Sequence, residues 1–143
     1  MDKIYVIYWS QSGNTMAMAK AIGAGVEEAG KQAEVVEVGD ITAGVLKDAS
    51  VFALGSPAMG AEVIEEEQME PFVAEVEQFA KGKKVALFGS YGWGDGEWMR
   101  EWTCRMTEAG ADVINGEGVI CQDTPDDRAL EQCKALGKRM AEA

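Results

Sequence analysis

Six consecutive residues, Ser10-Gln11-Ser12-Gly13-Asn14-Thr15, carry three hydroxyls, two amides and a glycine between an apolar run and a helical pattern. Ile4-Tyr5-Val6-Ile7-Tyr8-Trp9 before them reads as a strand covered on both faces, and Met16, Ala19, Ile22 and Val26 after them recur at helical spacing. A strand that turns into a helix through small polar residues aims backbone N–H groups, hydroxyls and the positive helix end at one spot. An anion such as a phosphate is its natural occupant. The segment has no Lys or Arg, and Lys20 lies more than a turn into the helix, so charge would be met by dipoles and hydrogen bonds. A polar turn with a helix N-cap uses the same residue types, and at this point both readings stand.

Two further segments supply complementary chemistry. Ser56-Pro57-Ala58-Met59-Gly60-Ala61-Glu62 sets a soft apolar side chain beside a glycine and an acceptor carboxylate, while Gly89-Ser90-Tyr91-Gly92-Trp93-Gly94-Asp95-Gly96 alternates glycine with large aromatics. Glycines allow a backbone edge to approach a ligand, and Trp93 offers a flat face. Together the three segments describe a pocket for a flat aromatic ring with a phosphorylated tail.

Other chemistry is thin. Histidine is absent, which removes the commonest general base and metal ligand. Cys104, Cys121 and Cys133 are too widely spaced for a CxxC pair or a metal framework and read as reduced structural thiols. Cys133 and Arg139 match C-x5-R, but Ala129 to Ala141 reads as one helix with Leu130, Cys133, Leu136 and Met140 on its apolar face. Gly25 to Lys31 mimics a P-loop but ends a helix, and Gln32 stands where Ser or Thr is needed; G-x-G-x-x-G is missing after the first strand. A receiver-type domain needs acids where Trp9-Ser10 and Gly55-Ser56 stand. Trp98 and Trp102, four apart on a helix, read as core.

The elements that must position these residues alternate between strand and helix patterns along the chain. Strands are expected at Ile4–Trp9, Val35–Val38, Val51–Leu54, Val85–Phe88 and Val113–Ile120, the last briefly interrupted by Asn115-Gly116-Glu117-Gly118. The first helix should end at Gly30, a short helical piece surround Val45-Leu46, a helix run from Pro71 to Ala80, another carry Trp98 to Met106 and close at Gly110. Thr124-Pro125-Asp126-Asp127 should open the last helix with a cap, a first-turn proline and two acids. Five strands and about five helices imply an α/β fold, a three-layer doubly wound five-stranded parallel sheet over residues 1–143 as one domain. Ligands of such sheets sit beyond the carboxyl ends of the strands where strand order reverses, so the loops after strands one, three and four should meet.

The chain has 143 residues, 47% of them hydrophobic, enough for one sizeable core. Thirteen basic against 25 acidic residues give a formal charge of −12, which repels nucleic acid and anionic membranes and suits basic partner surfaces. Glu62, Glu65, Glu66, Glu67 and Glu70 read as a solvated face. No signal-peptide pattern and no run of 18 apolar residues is visible, so the expectation is a cytoplasmic protein without membrane association.

Over essentially its whole length the chain resembles the short-chain flavodoxins of anaerobic bacteria: Ser10 to Thr15 match the family's phosphate loop, Ala58-Met59-Gly60 its second flavin loop, and Gly89 to Gly96 its third. The resemblance implies one non-covalent FMN and a monomeric, low-potential, one-electron carrier that works between redox enzymes through the semiquinone/hydroquinone couple, not an enzyme. It puts the phosphate at Ser10, Gln11, Ser12, Gly13, Asn14 and Thr15 with Ser90 in support. Met59 and Trp93 would cover the ring faces, flanked by Ala58, Ala61 and Tyr91. The Gly92 and Gly94 N–H groups would meet the pyrimidine edge, and Glu62 would accept from ring N3–H. In a type II′ turn at Met59-Gly60-Ala61-Glu62, the Gly60 carbonyl would swing to N5 on reduction and stabilise the semiquinone. Ala61 stands where the family often has an acid or polar residue, and Gln11 and Ser12 where Gly and Thr are common. The rival readings are a small FMN-dependent NAD(P)H or quinone reductase, disfavoured by short loops that leave little room above the flavin, and a non-redox flavin-binding signalling module.

Overall fold

The computed structural model describes residues 3–59 and 63–143. Strand β1 (Lys3–Tyr8) pairs in parallel with β2 (Gln32–Glu37) on one side and β3 (Val51–Gly55) on the other; β4 (Lys84–Tyr91) follows β3. The far edge of β4 is shared by two pieces of a fifth strand, β5 (Asp112–Val113) and β6 (Val119–Gln122). The order β2-β1-β3-β4-β5 reverses between β1 and β3.

Side chains on neighbouring strands alternate between two cores, as the period of two requires. Ile4, Val6 and Tyr8 of β1 join Ala53 and Phe88 against helices α1 (Asn14–Glu28) and α4 (Asp127–Glu142). Ile7 joins Phe52, Leu54, Val85 and Leu87 against α2 (Met69–Glu77) and α3 (Glu97–Glu108). Trp98 and Trp102 lie within this second core, and Cys133, Leu136 and Met140 within the first, as the sequence patterns require. Helices α1 and α4 touch almost backbone to backbone: a Cβ on Gly25 would lie 2.0 Å from the Lys134 carbonyl, and one on Gly137 2.0 Å from that of Ile22.

Several boundaries differ from expectation. Strand β2 starts at Gln32 because its whole length pairs with β1, and Val38 passes into a 3₁₀ turn, Val38–Asp40. The piece around Val45-Leu46 is 3₁₀, Ala43–Asp48, which leaves four α-helices among the described residues. Helix α2 begins two residues before Pro71, a position within the first turn where a missing N–H costs nothing. Helix α4 is capped by Asp126, whose Oδ1 accepts from the Ala129 N–H at 2.8 Å, so Pro125 precedes the cap. The break in the fifth strand takes in Ile114, which opens a 3₁₀ turn. Helix α1 does close on Gly30 and α3 on Gly110, both with φ above +90°. No described helix is long and apolar enough to cross a membrane.

Candidate functional site

Strand β1 continues past Tyr8, with the Trp9 N–H donating to the Gly55 carbonyl at 3.0 Å, and then yields to the polar segment. The Ser10 hydroxyl oxygen accepts from the Gly13 N–H at 3.1 Å and the Met16 N–H at 3.3 Å. Both acceptor positions are thereby used, and Ser10 acts as a cap for α1. Gly13 has φ +94°, ψ −6°, with open space where a Cβ would stand, so glycine is required there by backbone conformation alone. Asn14 and Thr15 follow as the first helical residues, and their N–H groups are among those a helix start leaves without an internal partner. The two sequence readings of this segment are therefore compatible: Ser10 caps the helix as an acceptor and keeps its own O–H, which stands with the donors of Ser12, Asn14 and Thr15 for another group.

The segments after β3 and β4 are fastened to each other beyond the strands. Ser56 N–H donates to the Phe88 carbonyl at 3.1 Å and Ala58 N–H to that of Ser90 at 3.0 Å. Met59 and Val63 exchange two backbone bonds of 2.8 and 3.0 Å, closing a three-residue connection whose members, Gly60, Ala61 and Glu62, lie outside the described residues. The turn type expected there lies outside them too. Ser90 and Tyr91, expected in a loop, are the last residues of β4 because β6 extends the ladder as Ser90↔Cys121 and Tyr91↔Gln122. The glycine-rich loop proper begins at Gly92. Tyr91 packs on Trp98 with ring centroids 5.4 Å apart, and Trp93 projects with 64% of its surface exposed.

These ends meet around a cavity of about 210 Å³. Gln11, Ser12, Asn14 and Thr15 line it from the first segment, Pro57, Ala58 and Met59 from the second, and Ser90, Tyr91 and Gly92 from the third. Buried Thr15 Oγ1 and Ser90 Oγ stand 3.3 Å apart and join the first and third. Ser10, Gly13, Trp93 and Gly94 do not line it. A larger cavity, about 500 Å³, opens among Lys3, Lys31 and Ser50 at the strands' opposite end, away from these loops.

Sequence reasoning missed Asp123, which lines the cavity with φ +58° and donates its N–H to the Tyr91 carbonyl at 2.8 Å. The available signal was register: β6 lies parallel to β4 and ends level with it, so the next residue must arrive beside the third loop. Glu65 also departs from expectation. It is buried, and its carboxylate accepts from the N–H groups of Glu67 and Gln68 in the turn before α2 and of Met69, the first residue of α2, at 2.7–2.8 Å. Glu70 is ion-paired with Arg105 rather than freely solvated.

Among the described residues no Lys or Arg lines the cavity, and no cluster of His, Cys, Asp or Glu is suited to a metal. Burial, with Asp126 and Asp123 nearby, pushes the Cys121 thiol up to about 11, and burial pushes Cys133 up to about 12, so both remain protonated thiols at neutral pH.

A parallel five-position sheet whose order reverses beside three converging loops defines the flavodoxin-like class of α/β proteins. Within that class, the chain belongs to the flavodoxin family: residues 6–136 match the family model described as Flavodoxin. It is 44% identical over 136 residues to the flavodoxin of Clostridium beijerinckii, covering 95% of this chain and 97% of that one. The flavodoxin of Megasphaera elsdenii is 44% identical over 140 residues, covering 98% and 99%. The solution structure of the latter in its two-electron reduced form superposes with a TM-score of 0.89, again over 98% and 99%. The chain is accordingly a short-chain flavodoxin, an FMN-binding electron-transfer protein rather than an enzyme, and passes electrons to redox partners.

The residues present fit that cofactor. A phosphate suits a helix start whose donors are uncharged and whose capping hydroxyl accepts from the backbone while keeping its own O–H to donate. The exposed indole of Trp93, next in the chain to the lining residue Gly92, suits a planar ring.

Proposed function

We propose that this flavodoxin is a low-potential, one-electron carrier that shuttles electrons between redox enzymes, and that the three converging loops hold its FMN. The observation that carries the reading is the cavity in which Ser12, Asn14 and Thr15 at a helix start meet Ser90 and Met59 with no cation among them. Ser10, Gln11, Ser12, Asn14 and Thr15 donate to the phosphate with Ser90 in support, and Gly13 gives the loop its left-handed turn. Met59 and Trp93 cover the two ring faces, between Ala58 and Tyr91. Gly92 and Gly94 offer N–H groups to the pyrimidine edge. Of the residues outside the described ones, Glu62 would accept from ring N3–H beside Ala61, and the Gly60 carbonyl would accept from N5–H of the reduced ring. When bound, FMN supplies the redox chemistry; the polypeptide binds, orients and shields it from water.

The formal charge of −12 supports basic docking surfaces on the partners and disfavours nucleic acid and anionic membranes; the carrier is read as a monomer of the cytoplasm. Stepwise anaerobic reduction of the FMN-loaded protein tests the reading: a half-reduced spectrum distinct from both end states is expected. Turnover with NADH or NADPH should depend on an added reductase. Failure of the apoprotein to bind FMN at micromolar concentration, or direct turnover with the nicotinamides alone, would refute it.

A further inference from the structure

The segment between β3 and α2 is tied at both ends to one oxygen atom. The Ser56 hydroxyl donates to the Pro57 carbonyl at 2.9 Å and accepts from the Glu65 N–H at 2.9 Å, spanning the foot of the loop. Ser56 is fully buried. Its backbone is held as well, the N–H by Phe88 of β4 and the carbonyl by Trp98 Nε1 of α3 at 3.1 Å. The far attachment is equally firm, since the Glu65 carboxylate accepts from three N–H groups, two in the turn before α2 and one at its first residue. Above this foot the Met59–Val63 pair forms a second closure. Two tiers of bonds therefore enclose the connection through Gly60.

We infer that Ser56 is a positioning residue for electron transfer: its hydroxyl keeps the loop's foot closed, so that a contact to the reduced cofactor forms without first ordering the whole segment. The inference rests on the FMN assignment proposed above. A loop ordered in advance loses less conformational freedom when it makes a new contact. The oxidised ring has no N5–H to offer and gains less from that ordering. Releasing the foot therefore weakens the hold on reduced FMN more than on oxidised FMN, and the first one-electron potential falls.

The test compares FMN-loaded wild type with Ser56→Ala, Ser56→Cys and Val76→Ala by potentiometric titration, alongside amide exchange of the apoproteins. Val76 lies in the α2 core away from the loop and serves as a control for general destabilisation. Ser56→Ala should lower the affinity for reduced relative to oxidised FMN about threefold to tenfold, which at 59 mV per decade lowers the first potential by about 28 to 59 mV. Exchange at the Glu65 N–H should quicken at the same time. Ser56→Cys, a weaker donor and acceptor, should shift the potential less in the same direction, and it carries the test if Ser56→Ala does not fold. An unchanged potential in the Ser56 variants, or an equal shift in Val76→Ala, would overturn the inference while leaving FMN binding intact. Failure of the wild type to bind FMN would instead sink the functional reading on which it stands.

Discussion

Replacing Thr15 with Val tests the phosphate assignment where the structure is most specific. The side chain is 1% exposed, its hydroxyl lies 3.3 Å from that of Ser90, and it belongs to the first helical turn. Valine keeps the branched shape and deletes the polar atom. A hydrogen bond to a charged group contributes about 1.5–3 kcal/mol, so the FMN dissociation constant should rise roughly tenfold to a hundredfold. Riboflavin has no phosphate, and its affinity should change less than about threefold. In the apoprotein, Ser90 loses its partner in a buried setting at a cost of about 1–3 kcal/mol, seen as a lower melting temperature. Thr15→Ser should recover both properties. Isothermal titration with the two flavins, paired with thermal melts, separates the effects: equal losses for FMN and riboflavin would refute the phosphate assignment, and so would FMN affinity within twofold of wild type.

Trp93→Ala should weaken FMN binding by about 1–3 kcal/mol, the usual scale for base stacking, yet leave the apoprotein melt within about 0.5 kcal/mol because the ring is largely exposed; a matching loss of apoprotein stability would identify a packing role instead. Alkaline pH should destabilise the fold, because Cys121 and Cys133 keep their protons up to about 11 and about 12 while an unfolded thiol loses its proton near 9. Stability from this source is intact below about pH 9 and falls as pH rises through the folded values; melts at pH 8 and 10.5 should show the drop, shallower in Cys133→Ala, and identical slopes would count against it. Gln11→Lys, at the cavity edge, should tighten FMN binding and raise the second one-electron potential. One charge at about 10 Å and an effective dielectric of 20 is worth about 1.7 kcal/mol, or roughly 70 mV, less with salt. A potential unmoved at low ionic strength would contradict the electrostatic account.

The layered sheet was legible because buried residues on each strand divide between two cores, so that short runs such as Val51-Phe52-Ala53-Leu54 had to lie between helices. Segment ends were legible where one residue decides them locally, as at Gly30 and Gly110. They were misjudged where a partner strand decides. Gln32 belongs to β2 because β1 pairs with it, and Ser90 and Tyr91 belong to β4 because β6 does. The same cause hid Asp123, whose place by the cavity depends on register between strands nearly thirty residues apart. Glu65 was misread because its neighbours are acidic; its burial follows from the Ser56 hydroxyl drawing in its N–H and from three N–H groups, of Glu67, Gln68 and Met69, that its carboxylate accepts at the approach to α2.

The cavity's lack of cations links binding to potential. A lysine or arginine on the phosphate would supply affinity cheaply, and at such short range its field would also reach the ring and favour added electrons. Donors drawn from a helix start and from hydroxyls act over the first turn and fall off quickly with distance, so on the proposed assignment they would hold the tail while lending little to the ring. Asp123, the only carboxylate among the described lining residues, adds the opposite sign, and the formal charge of −12 extends it over the surface. Each electron accepted beyond the first must then be held against fixed negative charge in a site with no compensating cation. That would be a physical route to the proposed low second potential requiring no strained geometry at the ring, and it would give an uncharged phosphate loop and an acidic surface one reason to stand together in a carrier.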